Sequence, residues 1–66
     1  MTDVDIFVNI LEEKFPNYHF QLNEIYKVLV VYGVKDDMVY SFCHNLCDCM
    51  CKPVNKILFI KPPHVF

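Results

Sequence analysis

Five backbone breakers set the limits of this chain. Pro16, Gly33, Pro53 and the pair Pro62–Pro63 cut 66 residues into four short pieces. A proline removes a backbone donor, and it also disfavours the α conformation of the residue before it. No piece is long enough to bury its own apolar side chains. One small domain assembled from short elements is therefore expected. A chain of this size buries only about 60% of its unfolded surface, so its stability margin is thin.

The first piece, residues 2–15, reads as an amphipathic helix. Thr2 or Asp3 supplies a cap, and Asp3 and Asp5 suit the positive end of the helix dipole. At 100° per residue Val4, Phe7, Val8, Leu11 and Phe15 fall on one stripe, with Asn9, Glu12 and Glu13 opposite. The second piece, residues 22–32, admits two readings. Leu22, Ile25, Tyr26, Leu29 and Tyr32 fit a helical stripe, with Gly33 just past its end. The rival is a strand, because Val28–Tyr32 is rich in β-branched residues. The helix is preferred, since polar positions recur every three or four residues.

The third piece, residues 36–51, is predicted helical from an Asp36 or Asp37 cap. Met38, Val39, Phe42, Cys43, Leu46 and Met50 would be buried, and Pro53 would stop it. The last piece, residues 54–66, holds the apolar run Ile57–Ile60, suited to a strand or an extended tail. With a single candidate strand, no sheet can form within one copy. The fold class expected is therefore all-α: a three-helix bundle spanning residues 1–52. Residues 53–66 would form an extended apolar tail packed on it or on a partner.

Composition then narrows function. Apolar residues make up 55% of the chain, with one Gly and neither Ala nor Arg. The apolar content therefore sits in bulky side chains, more than so short a chain is expected to hide. Large exposed apolar patches mark partner surfaces, and oligomerisation stabilises small cores. A protein partner is expected, either a second copy in a homo-oligomer or another subunit of a complex. Six Lys against eight acidic residues give a formal net charge of −2. The lysines are scattered singly, which argues against nucleic acid. The longest apolar run, Val28–Tyr32, is far short of the ~20 residues that span a bilayer, so no membrane partner is expected. Residues 2–5 lack the positive charge of a secretory leader. With that, the four cysteines read as reduced thiols in a cytoplasmic or nuclear setting.

Catalytic chemistry finds little support. Cys43 and His44 are neighbours that point about 100° apart on a helix, as do Glu12 and Glu13. One glycine cannot build a phosphate loop. The cluster Cys43, His44, Cys47, Cys49 and Cys51 offers soft ligands for Zn²⁺ or Cu(I), but the second close pair of a zinc site is missing. His64 could complete a set only by folding back. The bland alternative makes Cys43 and Cys47 small core hydrophobes. A non-enzymatic protein with no cofactor and no metal ligands is expected, and a metal-binding accessory protein is the alternative. The C-terminal Pro-His-Val-Phe could offer a carboxylate to a partner groove.

One series of residues carries a family likeness. Phe15-Pro16, Leu22 and Ile25, Gly33-Val34, Met38-Val39 and Phe42-Cys43 resemble the UBA-like fold, the CUE branch of ubiquitin-binding domains most of all. That branch has an apolar-Phe-Pro motif ending its first helix and a di-leucine near the end of its third. The likeness covers residues 11–46. Lys14 stands where the family has Met, and Phe42-Cys43 stands at the di-leucine. The resemblance implies a compact three-helix bundle. It also implies an apolar patch of Phe15, Pro16, Phe42 and Cys43 that would bind ubiquitin or a ubiquitin-like protein.

Overall fold

The computed structural model describes residues 2–62. The element order is α1 (Asp3–Lys14), β1 (His19–Asn23), β2 (Val28–Tyr32), α2 (Met38–Cys49) and β3 (Lys56–Ile60). The strands form one sheet in the order β1-β2-β3. β1 pairs antiparallel with β2, and β3 pairs parallel with β2. The architecture is a two-layer α/β sandwich with a mixed sheet. This overturns the expected all-α three-helix bundle.

The correction begins at residues 22–32, where the preferred helix is instead a hairpin. Asn23 Oδ1 accepts hydrogen bonds from the backbone N–H of Ile25 (3.0 Å) and Tyr26 (3.1 Å). This side-chain mimic of a turn competes with helix formation at that point. Lys27 then takes a left-handed conformation at φ 56° and reverses the chain. With β1 and β2 in place, the run Ile57–Ile60 has a neighbour within its own chain. It is the third strand rather than a tail. Parallel neighbours need a crossover, and α2 supplies it.

α1 follows its stripe. Thr2 and Asp5 form a reciprocal capping box: the Asp5 N–H donates to Thr2 Oγ1, and the Thr2 N–H to Asp5 Oδ2, both at 3.2 Å. Val4, Phe7 and Leu11 are buried. α2 is one helix as expected, but its buried face is Val39, Cys43 and Cys47. Met38, assigned to the core from sequence, is 73% exposed. It lies about 100° around the helix from Val39, off the buried stripe Val39–Cys43–Cys47.

Both helices cover one face of the sheet. Alternation along the strands turns Phe20, Leu22, Leu29, Val31, Ile57 and Phe59 toward them. In register these residues form two cross-strand rows, Phe20–Val31–Phe59 and Leu22–Leu29–Ile57. Phe59 meets the Tyr40 ring at 4.4 Å between centroids. Leu29 and Val31, on the central strand, have no solvent exposure.

Left-handed backbone closes two elements, at Gly33 after β2 and at Cys51 and Lys52 after α2. Gly33, at φ 79°, ends β2 rather than a helix; its N–H and that of Val34 both donate to the Ile60 carbonyl. α2 ends in a Schellman motif: the Lys52 N–H donates to the Cys47 carbonyl (2.7 Å) and the Cys51 N–H to that of Asp48 (3.2 Å). Cys51 holds the left-handed position at φ 61° where glycine is usual. Two substitutions are therefore expected to move stability in opposite directions. Gly33→Ala meets no atom within 4 Å, so its cost is the left-handed backbone alone, about 1–2 kcal/mol. Cys51→Gly relieves the same strain and is expected to stabilise by about 1 kcal/mol. Urea unfolding followed by circular dichroism reads both.

Candidate functional site

The second face of the sheet carries the side chains that point away from the helices. Register places them in three rows: His19–Tyr32–Ile60, Gln21–Val30–Leu58 and Asn23–Val28–Lys56. The β1 column is polar. The β2 column is apolar apart from the Tyr32 hydroxyl, and the β3 column is apolar apart from Lys56. Tyr32, Leu58 and Ile60 are 37%, 38% and 43% exposed, and Val28 and Val30 are half-buried by their neighbours. The Tyr32 hydroxyl donates to Gln21 Oε1 at 3.2 Å. The His19 ring lies 5.6 Å from that of Tyr32.

Beyond the lower row, the hairpin tip exposes Ile25 (86%) and Tyr26 (69%). The tip is held from below. The Asn55 N–H donates to the Lys27 carbonyl at 2.7 Å, and Asn55 Nδ2 to the Tyr26 carbonyl at 3.1 Å. An apolar surface with a fixed rim results. Sequence reasoning missed it, because Val28–Tyr32 and Ile57–Ile60 are apolar at every position and show no alternation that would mark a second face.

The residues expected to form a partner patch divide. Phe15 and Phe42 do meet, edge to face with ring centroids 5.4 Å apart. Tyr18 stacks on Phe15 at 5.5 Å, and Lys14 Nζ lies 5.5 Å from the centre of the Phe42 ring. The Tyr18 hydroxyl accepts from the Lys35 and Asp36 N–H groups, tying this corner to the loop after β2. Pro16 is exposed beside it. Cys43 is fully buried and faces the core.

The cysteines likewise separate. Cys43 and Cys47 lie in the core, and Cys49 and Cys51 face solvent. The Cys47 thiol donates weakly to the Val54 carbonyl at 3.8 Å. Burial, reinforced by the nearby Cys47 sulfur, pushes the Cys43 thiol up to about 11, so it stays protonated at neutral pH and is neither nucleophile nor ready metal ligand. Among the described residues, no three of His, Cys, Asp and Glu are grouped as a metal site. His64 and the Pro-His-Val-Phe end lie outside the described residues. No helix among them is long and apolar enough to cross a membrane. Comparison of the chain with protein-family models, curated proteins and solved structures yields no match.

The thiol environments give a direct expectation. In native protein a disulfide reagent is expected to titrate Cys49 and Cys51 quickly, and Cys43 and Cys47 only on unfolding. The unfolded thiol ionises before the buried one, so Cys43 contributes stability that is intact below about pH 9 and is lost as pH rises toward about 11. Thermal melts across that range, repeated with Cys43→Val to remove the titrating group, check the sign.

Proposed function

We propose that this chain is a non-catalytic protein-interaction module whose docking surface is the uncovered face of the sheet. One observation carries the reading. Val28, Val30, Tyr32, Leu58 and Ile60 are contiguous on a face that neither helix covers. An apolar sheet face is ordinarily packed against a second layer. Burial of this face would drive association, and the exposed Ile25 and Tyr26 would extend the contact.

Leu58→Lys tests the reading, because the new charge sits on this face without entering the core. A tagged chain is incubated in extract of its source cells, and everything retained is weighed by mass spectrometry, untagged copies of the chain included. Leu58→Lys is expected to reduce retention about tenfold, equivalent to roughly 1.4 kcal/mol. Ile6→Lys, on exposed α1 surface, is expected to leave it unchanged. Equal retention by wild type and Leu58→Lys would overturn the reading.

A narrower second reading rests on the contact of Phe15 with Phe42. There the aromatic corner, with Pro16 at its edge, would take the hydrophobic face of ubiquitin or a ubiquitin-like protein. Titration of isotope-labelled chain with ubiquitin is expected to shift the amides around Phe15, Tyr18 and Phe42. No shift at about millimolar ubiquitin, the weak end of protein affinities, would remove it.

A further inference from the structure

We infer that the occupant of the open sheet face is a second copy of this chain, stacked face to face with its strands antiparallel about a twofold axis through the middle row. The inference rests on the interaction-module reading and adds the identity of the partner.

Register decides how two such faces can meet. Two equivalent sheets can stack about a dyad lying along the strands or about one lying across them. The dyad along the strands sets the polar β1 column over the apolar β3 column, so Gln21 would cover Leu58 and Asn23 would cover Lys56. The dyad across the strands sets each column on its own mate. Leu58 then meets Leu58 of the second copy, and Val30 meets Val30. Tyr32 covers Val28, and the Lys56 stem lies along Ile60. At the polar edge, Gln21 meets its counterpart. Its Oε1 already accepts from Tyr32, and its amide N–H groups can donate across the dyad. In the middle row apolar meets apolar and polar meets polar only in this arrangement; at the row ends the Lys56–Ile60 contact is apolar through the lysine stem alone.

Charge agrees. Lys56 is the face's one lysine, and the face carries no carboxylate. A differently charged partner would find little to pair with. In the antiparallel stack the two Lys56 residues sit at opposite ends, about 13 Å apart along the strands, beyond the ~8 Å screening length at physiological salt.

The β3 edge argues against lateral growth there. β3 is five residues long, starts at Lys56 and is followed by Lys61 and Pro62. Short length, lysine and proline are the devices that blunt a strand edge. The face has no such protection, and a twofold stack closes at two copies.

Area sets the strength. Three strands of five residues present a patch of about 14 by 16 Å. That is well below the ~800 Å² per partner of a standard stable interface. The expected dimer is reversible and concentration-dependent, with the hairpin tip adding contact at each end.

Sedimentation equilibrium of the purified chain from about 5 μM to 1 mM is expected to show monomer and dimer in exchange, and Leu58→Lys to weaken the dimer at least tenfold. Register is read by cross-linking in a Cys49→Ser, Cys51→Ser background. Leu58→Cys places a thiol on the dyad, where facing sheets can be bridged by a disulfide, and is expected to give a covalent dimer on oxidation. Val28→Cys faces Tyr32 of the other copy and is expected not to cross-link. Should Leu58→Cys fail to fold, Val30→Cys is expected to cross-link in either stack and reports self-association, and register is then read from the absence of a cross-link in Val28→Cys.

Cross-linking through position 28 rather than 58 would overturn the antiparallel stack. A monomer at every concentration, with no cross-link at 58, would overturn self-association. If Leu58→Lys still loses its retained proteins in extract, the interaction-module reading survives that result. If it loses none, both fall.

Discussion

β2 is the element on which the structure depends. It is hydrogen-bonded on both sides, to β1 in one direction and to β3 in the other. Its inward residues Leu29 and Val31 are fully buried beneath the helices. Parallel pairing of β2 with β3 is non-local: the chain between the two strands has to cross over through α2. The Ile60 carbonyl, which receives Gly33 and Val34 at the far end, and Asn55, which clamps the hairpin at the near end, fasten β3 across the full length of β2. Removing β2 leaves β1 and β3 without a hydrogen-bonded neighbour.

The same strand explains why the fold was only partly legible. α1 could be read because its cap, stripe and terminating Phe-Pro all agree, and α2 because one apolar face persists through Cys47. β1 alternates cleanly, with Phe20 and Leu22 inward and His19, Gln21 and Asn23 outward. β2 does not alternate, because a central strand here has apolar residues on both faces, and Val28–Tyr32 then mimics part of a helix. Ile25 and Tyr26 completed the false stripe, although they are the most exposed apolar pair on the hairpin tip. The deciding signal was Asn23, whose side chain organises the turn. Once one strand was taken for helix, Ile57–Ile60 had no partner in its own chain, and the all-α expectation followed.

The candidate site was less legible for a different reason. The nearness of Phe15 to Phe42 could be read, since both mark the apolar sides of neighbouring helices. Cys43 could not be both one residue after Phe42 and on the same surface, because successive helical residues diverge by about 100°. The open face depends on register between strands that are far apart in sequence. Leu58 and Val30 become neighbours only through the parallel pairing, and no local pattern carries that fact.

A two-layer sandwich of this size meets a specific constraint. The helices can cover one face of three strands, and the described residues supply no third layer for the other. A polar second face would resolve this, and β1 provides one with His19, Gln21 and Asn23. β2 and β3 keep Val28, Val30, Leu58 and Ile60 instead. On β2 these side chains are half-buried and support the central strand. On β3 they lie near the free edge, where Lys or Thr would serve the isolated fold equally well. The apolar choice at Leu58 and Ile60 is therefore what the monomer does not require. The same two residues give the face its antiparallel self-complementarity, so the apolar choice that the isolated fold does not need is the one that suits the face to association.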